Sequence, residues 1–239
     1  MDISVVLPTY NEKENIMILI PELESIFKKN NLKGEIIVVD DSSPDGTADA
    51  AYLLNKRYGN VKVVLRPKKE GIGAALRDGY NHASGNVIFS MDSDLSFDHN
   101  LIPVFLEKLK QYDLVVGSRH TAQGGYEKKN LNIFMKWLTS RGGNFVLRLM
   151  SGVNVHDFSA NFRGIKKSVW DAIKTTDNTN SILFEMILLT KYKGFKVSEI
   201  PVTFKDRVHG ESKLNLAKEA PSFFLKATKW SLKSRLGRL

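Results

Sequence analysis

A chain of 239 residues with 42% hydrophobic content can bury a sizeable core, which excludes disorder as its main state. It contains no cysteine, so disulfides, thiolate nucleophiles and Cys-built zinc sites are excluded, and a reducing cytoplasmic setting is expected. The formal net charge of +9 points toward polyanionic partners, whether nucleic acid, nucleotides, phosphorylated lipids or an anionic membrane surface.

The opening "MDISVVLPTYNE" carries no basic segment leading into a long apolar run, so no signal peptide is read there. No stretch approaches the ~18 apolar residues of a membrane span. In chain order, β-branched runs alternate with helical patterns. Strand Ile3–Leu7 is followed by a helix over Lys13–Lys29, strand Ile36–Val39, a helix from near Thr47, strand Val61–Leu65 and a helix near Ala74–Ala83. Strand Val87–Met91, a helix near Leu101–Lys110 and strand Leu114–Val116 come next. After a Gly-containing polar loop over Thr121–Asn130, of the sort that can move over a site, come a helix over Phe134–Met150, strand Phe162–Ile165, a helix over Leu183–Lys193 and strand Lys196–Val202. This alternation predicts one α/β domain with a mainly parallel sheet flanked by helices, in which ligands bind beyond the carboxyl ends of the strands. No internal repeat or linker divides it.

Polar clusters sit where those strands end. In "FSMDSDLSF" the acids Asp92, Asp94 and Asp98 alternate with Ser96 between them as in a calcium loop, but Phe97 stands where the sharp turn needs Gly and Pro103 where a bidentate Glu belongs. A plain turn, with Asp98 or Asn100 capping the next helix, explains part of the pattern and leaves Asp92 and Asp94 over. Two carboxylates at one strand end repel unless a cation sits between them, and Mg²⁺ or Mn²⁺ beside a phosphate is the natural occupant.

"PTYNEKENI" offers Asn11 as N-cap and Glu14 as its capping-box partner, which leaves Tyr10 and Glu12 to hold a base and ribose. In "VVDDSSPDGT", Asp45 or Thr47 can cap the following helix, whereas Asp40 and Asp41 remain for hydrogen bonds to a nucleoside. "EGIGAAL" lacks the third glycine of a dinucleotide fingerprint, and no P-loop is present. Arg119, Arg163, Arg207 and Lys213 are phosphate-binding candidates by charge and placement, and His156 and His209 read as polar loop residues. From Pro221 onward there are five cations and no acid, which reads either as a terminal helix packed on the domain or as one lying on an anionic membrane.

Taken in order, "VVLPTYNE", "VVDDSSPDGT", "GIGAALRDGY", "MDSDLS", "VVGSR", "SRGGN" and "EIPVTFKDRVHGESKL" resemble the family 2 glycosyltransferases, most closely the dolichyl-phosphate mannose synthase group, from about Ile3 to Leu214. The resemblance implies a GT-A (Rossmann-like) domain over 1–215, followed by a basic C-terminal helix over 216–239. It also implies inverting, metal-dependent transfer of a hexose, foremost mannose from GDP-mannose, to a dolichyl or polyprenyl phosphate. Pro8, Tyr10, Glu12, Val39 and Asp41 would then hold the nucleoside, with Asp92, Ser93, Asp94, Arg207 and Lys213 at the rest of the nucleotide sugar. Asp92, Asp94 and Ser96 would serve Mg²⁺ or Mn²⁺, and Arg119, Lys136 and Ser140 the acceptor phosphate. Asp94, Arg119, Arg207 and Lys213 would carry the catalysis. Ser93 and Lys136 depart from the Ala and Arg found in relatives, and Asn161 from a common Gly.

A phosphate acceptor is ionised at neutral pH and needs positioning and charge neutralisation rather than a general base, which suits a basic constellation. The expected setting is peripheral, on the cytosolic face of a membrane, with room for a membrane-anchoring subunit. A UDP-sugar donor is the alternative within enzymes. A binding module for nucleotide sugars or nucleic acid is the alternative of another class, although no aromatic-rich basic strand supports nucleic acid.

Overall fold

Ile3, Val5 and Leu7 face one side of the first strand and Val6 the other, and all four are fully buried, the mark of a strand covered on both faces. The computed structural model describes residues 1–127, 131–206 and 225–232, except for the side chains of 131–136. In chain order the elements are β1 (Ile3–Thr9), α1 (Lys13–Lys29), β2 (Gly34–Asp40), α2 (Thr47–Tyr58), β3 (Val61–Leu65), α3 (Ile72–His82) and β4 (Val87–Met91). A short 3-10 turn, His99–Leu101, precedes α4 (Ile102–Leu109) and β5 (Leu114–Ser118). Then come β6 (Gly125–Tyr126), α5 (Leu131–Ser151), β7 (Phe162–Lys166), α6 (Lys167–Ala172), α7 (Ile182–Tyr192), β8 (Val197–Pro201) and β9 (Thr203–Phe204). A further helix, α8, covers 225–232.

Seven strands form one sheet in the order β3-β2-β1-β4-β7-β5-β8, and β6 pairs with β9 in a separate ribbon. All pairings in the large sheet are parallel except those of β7, which runs antiparallel to both β4 and β5. The mainly parallel expectation therefore holds, with β7 as the inserted exception. Helices α1, α2 and α4 pack on one face, and α3, α6 and α7 on the other, where Leu147 of α5 and Ala227 of α8 join the core. This is a three-layer α/β/α arrangement.

Two features position the site. From β1 the chain crosses first to β2 and β3 and later to β4 on the opposite side of β1, which makes the β1/β4 boundary a switch point where a crevice opens. Because β7 is antiparallel, the segment that enters it, Asp157–Asn161, lies at the same edge as the residues leaving β4 and β5.

Local chemistry corrects several sequence expectations. Asn11 does not cap α1: it adopts φ 57°, and the cap position belongs to Glu12, whose side chain makes no capping bond to the helix backbone. The loop after β2 does the capping, since Ser43 Oγ, Thr47 Oγ1 and Asp45 Oδ2 accept the N–H groups of Asn11, Glu12 and Lys13. Neither Asp45 nor Thr47 is the cap of α2: that position is Gly46 at φ 83°, while Asp45 Oδ1 accepts the Thr47 N–H in the turn before it. In "EGIGAAL" the glycines answer to packing rather than to a ligand, because a Cβ at Gly73 would stand 2.5 Å from the Asp177 carbonyl oxygen. Asp98, not Asn100, caps the turn before α4.

Candidate active site

The carboxyl ends of β1, β2 and β4 bring their polar clusters together as the alternation predicts. Ser93 Oγ donates to the Pro8 carbonyl across the switch point at 3.2 Å, joining the turn after β4 to the end of β1. Asp94 is only 4% exposed and its Oδ1 accepts the Ser96 N–H in a tight turn where Leu95 has φ 60°. Asp92 Oδ1 accepts Asn161 Nδ2 from the loop entering β7. The Ser96 hydroxyl is buried and meets no hydrogen-bond partner among the described residues. An oxygen left orphaned beside two carboxylates fits a hard divalent cation. No group of three or more His, Asp or Glu gathers to hold a metal among the described residues, so such an ion would complete its shell from substrate and water.

The paired acids after β2 divide their work. Asp40 is fully buried and closes its own turn, accepting Ser43 N–H, Ser43 Oγ–H and Thr9 Oγ1–H, so it is structural and not a nucleoside ligand. Asp41 meets Arg66 at 2.5 Å. Burial pushes the Asp41 carboxyl above its ordinary value, against the opposing pull of Arg66. Sequence reasoning missed Arg66, although its place directly after β3 was the available signal. Its other guanidinium nitrogens reach Glu70 at 3.1 Å and Asp78 at 2.8 Å. Tyr10 lies beside this group with Lys69 Nζ 4.2 Å from its ring centre. Glu12 accepts a bond from Asn15. Val39 is fully buried with its side chain in the core, so only its backbone can face a nucleoside.

Beyond β5 the chain builds a basic cleft of about 740 Å³, lined among others by Arg119, His120, Trp137, Arg141, Arg148 and His156 and, among the described residues, by no carboxylate. Arg119 is not a free cation. Its Nε and Nη2 grip the fully buried Asp157 at 2.7 and 2.9 Å, and Nη2 also reaches Ser159. Both groups are desolvated, yet their mutual attraction holds Asp157 well below and Arg119 well above their ordinary values. Asp157 holds Arg119, and Asn161 of the same segment bonds Asp92, so this segment joins the cleft to the acidic strand end. Arg163, a phosphate candidate by charge, is fully buried and gives its donors to the carbonyls of Ala160, Leu183 and Phe158. It is a strut, and desolvation lowers its pKa to about 10.

The cleft histidines are committed. Arginine can only donate, so Arg148 Nη1 makes His156 Nε2 an acceptor at 3.0 Å, and Nδ1–H therefore donates to Glu199 at 2.8 Å. His120 is 8% exposed, its Nε2 lies 2.9 Å from Ser140 Oγ, and burial lowers its pKa to about 4. Ser140, on α5, reaches the cleft's edge through His120, which is one of its lining residues. Lys136 lies on α5 with its side chain outside the described residues, and Arg207, His209 and Lys213 lie outside them altogether. Helix α8 packs on the domain: Lys226 pairs with Asp177 at 2.7 Å and Trp230 stacks near Phe184, which accords with the packed-helix alternative for that segment. Another hollow, about 710 Å³, lies by Met1, Asn60 and Ser84 at the opposite strand ends and has no share in this convergence.

Comparisons with known proteins agree with this geometry. The pattern described as "Glycosyl transferase family 2" matches residues 4–173. A dolichol-phosphate mannosyltransferase of Pyrococcus furiosus is 36% identical over 90% of this chain, and the chain spans 59% of that relative's length. An undecaprenyl-phosphate mannosyltransferase of Micrococcus luteus is 31% identical over 98% of this chain and 96% of its own. Among solved structures, glucosyl-3-phosphoglycerate synthase from Mycobacterium tuberculosis in complex with Mn²⁺ and uridine-diphosphate-glucose shares the fold at TM-score 0.69 and 19% identity, over 95% of this chain and 79% of that one.

Proposed function

The chain belongs to glycosyl transferase family 2, and from that premise we propose that it transfers a hexose, mannose from GDP-mannose foremost, with inversion to the phosphate of a dolichyl or polyprenyl lipid. The observation that carries this reading is the basic cleft, free of carboxylates among the described residues, whose Arg119 is held by Asp157 on the same segment from which Asn161 bonds Asp92 at the end of β4. A phosphate monoester entering that cleft arrives ionised, so its oxygen can attack the anomeric carbon without a base. His156 Nε2 is taken by Arg148, and burial makes His120 a weak base, lowering its pKa to about 4. The similarity to two polyprenyl-phosphate mannosyltransferases supports the acceptor and sugar.

On the donor side, Pro8, Tyr10, Glu12, Asp41 and the Val39 backbone would hold the nucleoside. Asp92, Asp94 and the Ser96 hydroxyl would hold Mg²⁺ or Mn²⁺, which supplies charge neutralisation for the departing nucleoside diphosphate when bound. Arg119, fixed in orientation by Asp157 and Ser159, would present its remaining N–H edge toward the acceptor phosphate beside Ser140. Arg207, Lys213 and Lys136 keep their expected phosphate roles within this proposal.

The lipid implies a peripheral membrane protein working from the cytosolic face. No helix among the described residues is long and apolar enough to cross a membrane. Helix α5 instead exposes Leu138, Phe145 and Leu149, spaced to share one face, and its 21 residues contain no acid. That apolar stripe flanked by Arg141 and Arg148 suits an anionic bilayer surface. The basic tail and an anchoring subunit would add to the attachment.

The test incubates the protein with Mn²⁺, a short polyprenyl phosphate and either GDP-mannose or UDP-glucose. Lipid-linked mannose from GDP-mannose is expected. A product from UDP-glucose alone would move the donor to the UDP class, and no product from any donor would overturn the transferase reading.

A further inference from the structure

The Ser140 hydroxyl sits between two polar neighbours whose orientations can be worked out. Asn144 is fixed, because its Oδ1 accepts the Phe158 N–H at 2.8 Å. Its Nδ2 therefore faces Ser140, where it donates to the backbone carbonyl at 2.9 Å and to Oγ at 3.3 Å. One lone pair of the hydroxyl is thus occupied. The other neighbour is His120 Nε2 at 2.9 Å, on a ring whose Nδ1 is buried with no partner among the described residues.

Burial and the nearby cations keep this ring neutral, so it carries a single N–H. If Nδ1 bore the proton, a buried donor would be orphaned and the Ser140 proton would be spent on Nε2. With the proton on Nε2, the donor is satisfied and the buried atom left over is an acceptor. Unmet buried N–H groups are the rarer and costlier case. The second tautomer follows.

We propose that His120 is a positioning residue for the acceptor: with Asn144 it fills both lone pairs of the Ser140 hydroxyl, so that the Ser140 proton is directed to an anionic oxygen of a phosphate in the cleft. This deepens the proposed function and rests on its acceptor site. Sequence spacing gave no hint of it, since positions 120 and 140 meet only because α5 folds back over the end of β5.

The test pairs His120→Phe, which keeps a ring without a donor, with His120→Gln, which restores an N–H. In His120→Phe the KM for a short polyprenyl phosphate is expected to rise about tenfold, the size of one hydrogen bond to a charged group, with the KM for the nucleotide sugar unchanged. His120→Gln should recover most of the loss. Combining His120→Phe with Ser140→Ala should add nothing to Ser140→Ala alone. Calorimetric binding of the lipid phosphate without donor should show the same tenfold weakening, and the ¹⁵N resonances of His120 should show the proton on Nε2. A proton on Nδ1, an unchanged acceptor affinity, or an equal loss for donor and acceptor would overturn the proposal. Failure of the transfer reaction itself would count against the proposed function alone, because binding and nitrogen resonances decide this inference without turnover.

Discussion

Arg66 offers its guanidinium nitrogens to Asp41, Glu70 and Asp78 while its own side chain is 5% exposed, so a single cation joins the end of β2, the loop after β3 and helix α3. Replacing it by Met would leave the buried Asp41 uncompensated, and removing one partner of a buried pair costs about 3 kcal/mol or more. Denaturant unfolding of Arg66→Met should show that loss, and weaker nucleotide binding should accompany it; an unchanged midpoint would mean that Asp41 finds another partner. Asp94 makes the opposite prediction. Asp94→Asn preserves shape and the turn bond to Ser96, so thermal stability should hold while metal-dependent turnover falls by about 10²-fold or more, the scale of losing one preorganised electrostatic contact at a reacting centre. Undiminished turnover would remove Asp94 from the metal site. Residue types alone could not separate Asp40 from Asp41 or Arg119 from Arg163. Which member of each pair is consumed by packing depends on the turn and on β7, and both are tertiary facts.

At the scale of elements, Glu35 shows how strands are tied. Its carboxylate on β2 accepts Ser4 Oγ–H of β1 at 2.5 Å and both the N–H and Oγ–H of Ser84, while Lys62 of β3 pairs with it at 2.7 Å. Burial alone would raise its pKa, but these partners hold it down at about 2. The folded pKa lies below the unfolded value near 4.5, so its contribution to stability is fully present above about pH 4.5 and is lost as pH falls toward 2. Glu35→Gln should flatten that part of the stability curve, measured by denaturant unfolding between pH 5 and pH 2.5; an identical slope in both proteins would assign the acid sensitivity elsewhere. Much at this scale was legible in the sequence. The α1 limits follow from hydrophobic period, and the strand ends from β-branched runs meeting polar clusters. The reversed direction of β7 was not legible, because alternation carries no sign of strand polarity. Six-residue α6 and two-residue β6 and β9 are too short to show a period.

For the whole molecule, the sheet order gathers six parallel strand ends and the entry to one antiparallel strand along a single edge, with acids at the β1/β4 switch point and cations beyond β5. The acidic part of this convergence was readable from motifs next to strands. The cationic half was not, since Arg141 and Arg148 lie in a helix whose docking over β5 no local pattern specifies. The same helix would set the molecule on its membrane. Phe145→Ser combined with Leu149→Ser removes exposed apolar side chains without touching the core and should weaken binding to anionic vesicles by about tenfold or more in a sedimentation assay. Equal binding would shift attachment to other surfaces.

Among the described residues the cleft offers no free base, and the phosphate nucleophile proposed for it needs none. The most direct test is to offer the enzyme, with Mn²⁺ and GDP-mannose, a polyprenyl phosphate and the matching polyprenol in parallel, and to read the anomeric configuration of any product by NMR. An inverted, β-linked mannosyl phosphate is expected from the first acceptor and nothing from the alcohol. Transfer to the alcohol at a comparable rate, or a product of retained configuration, would contradict it.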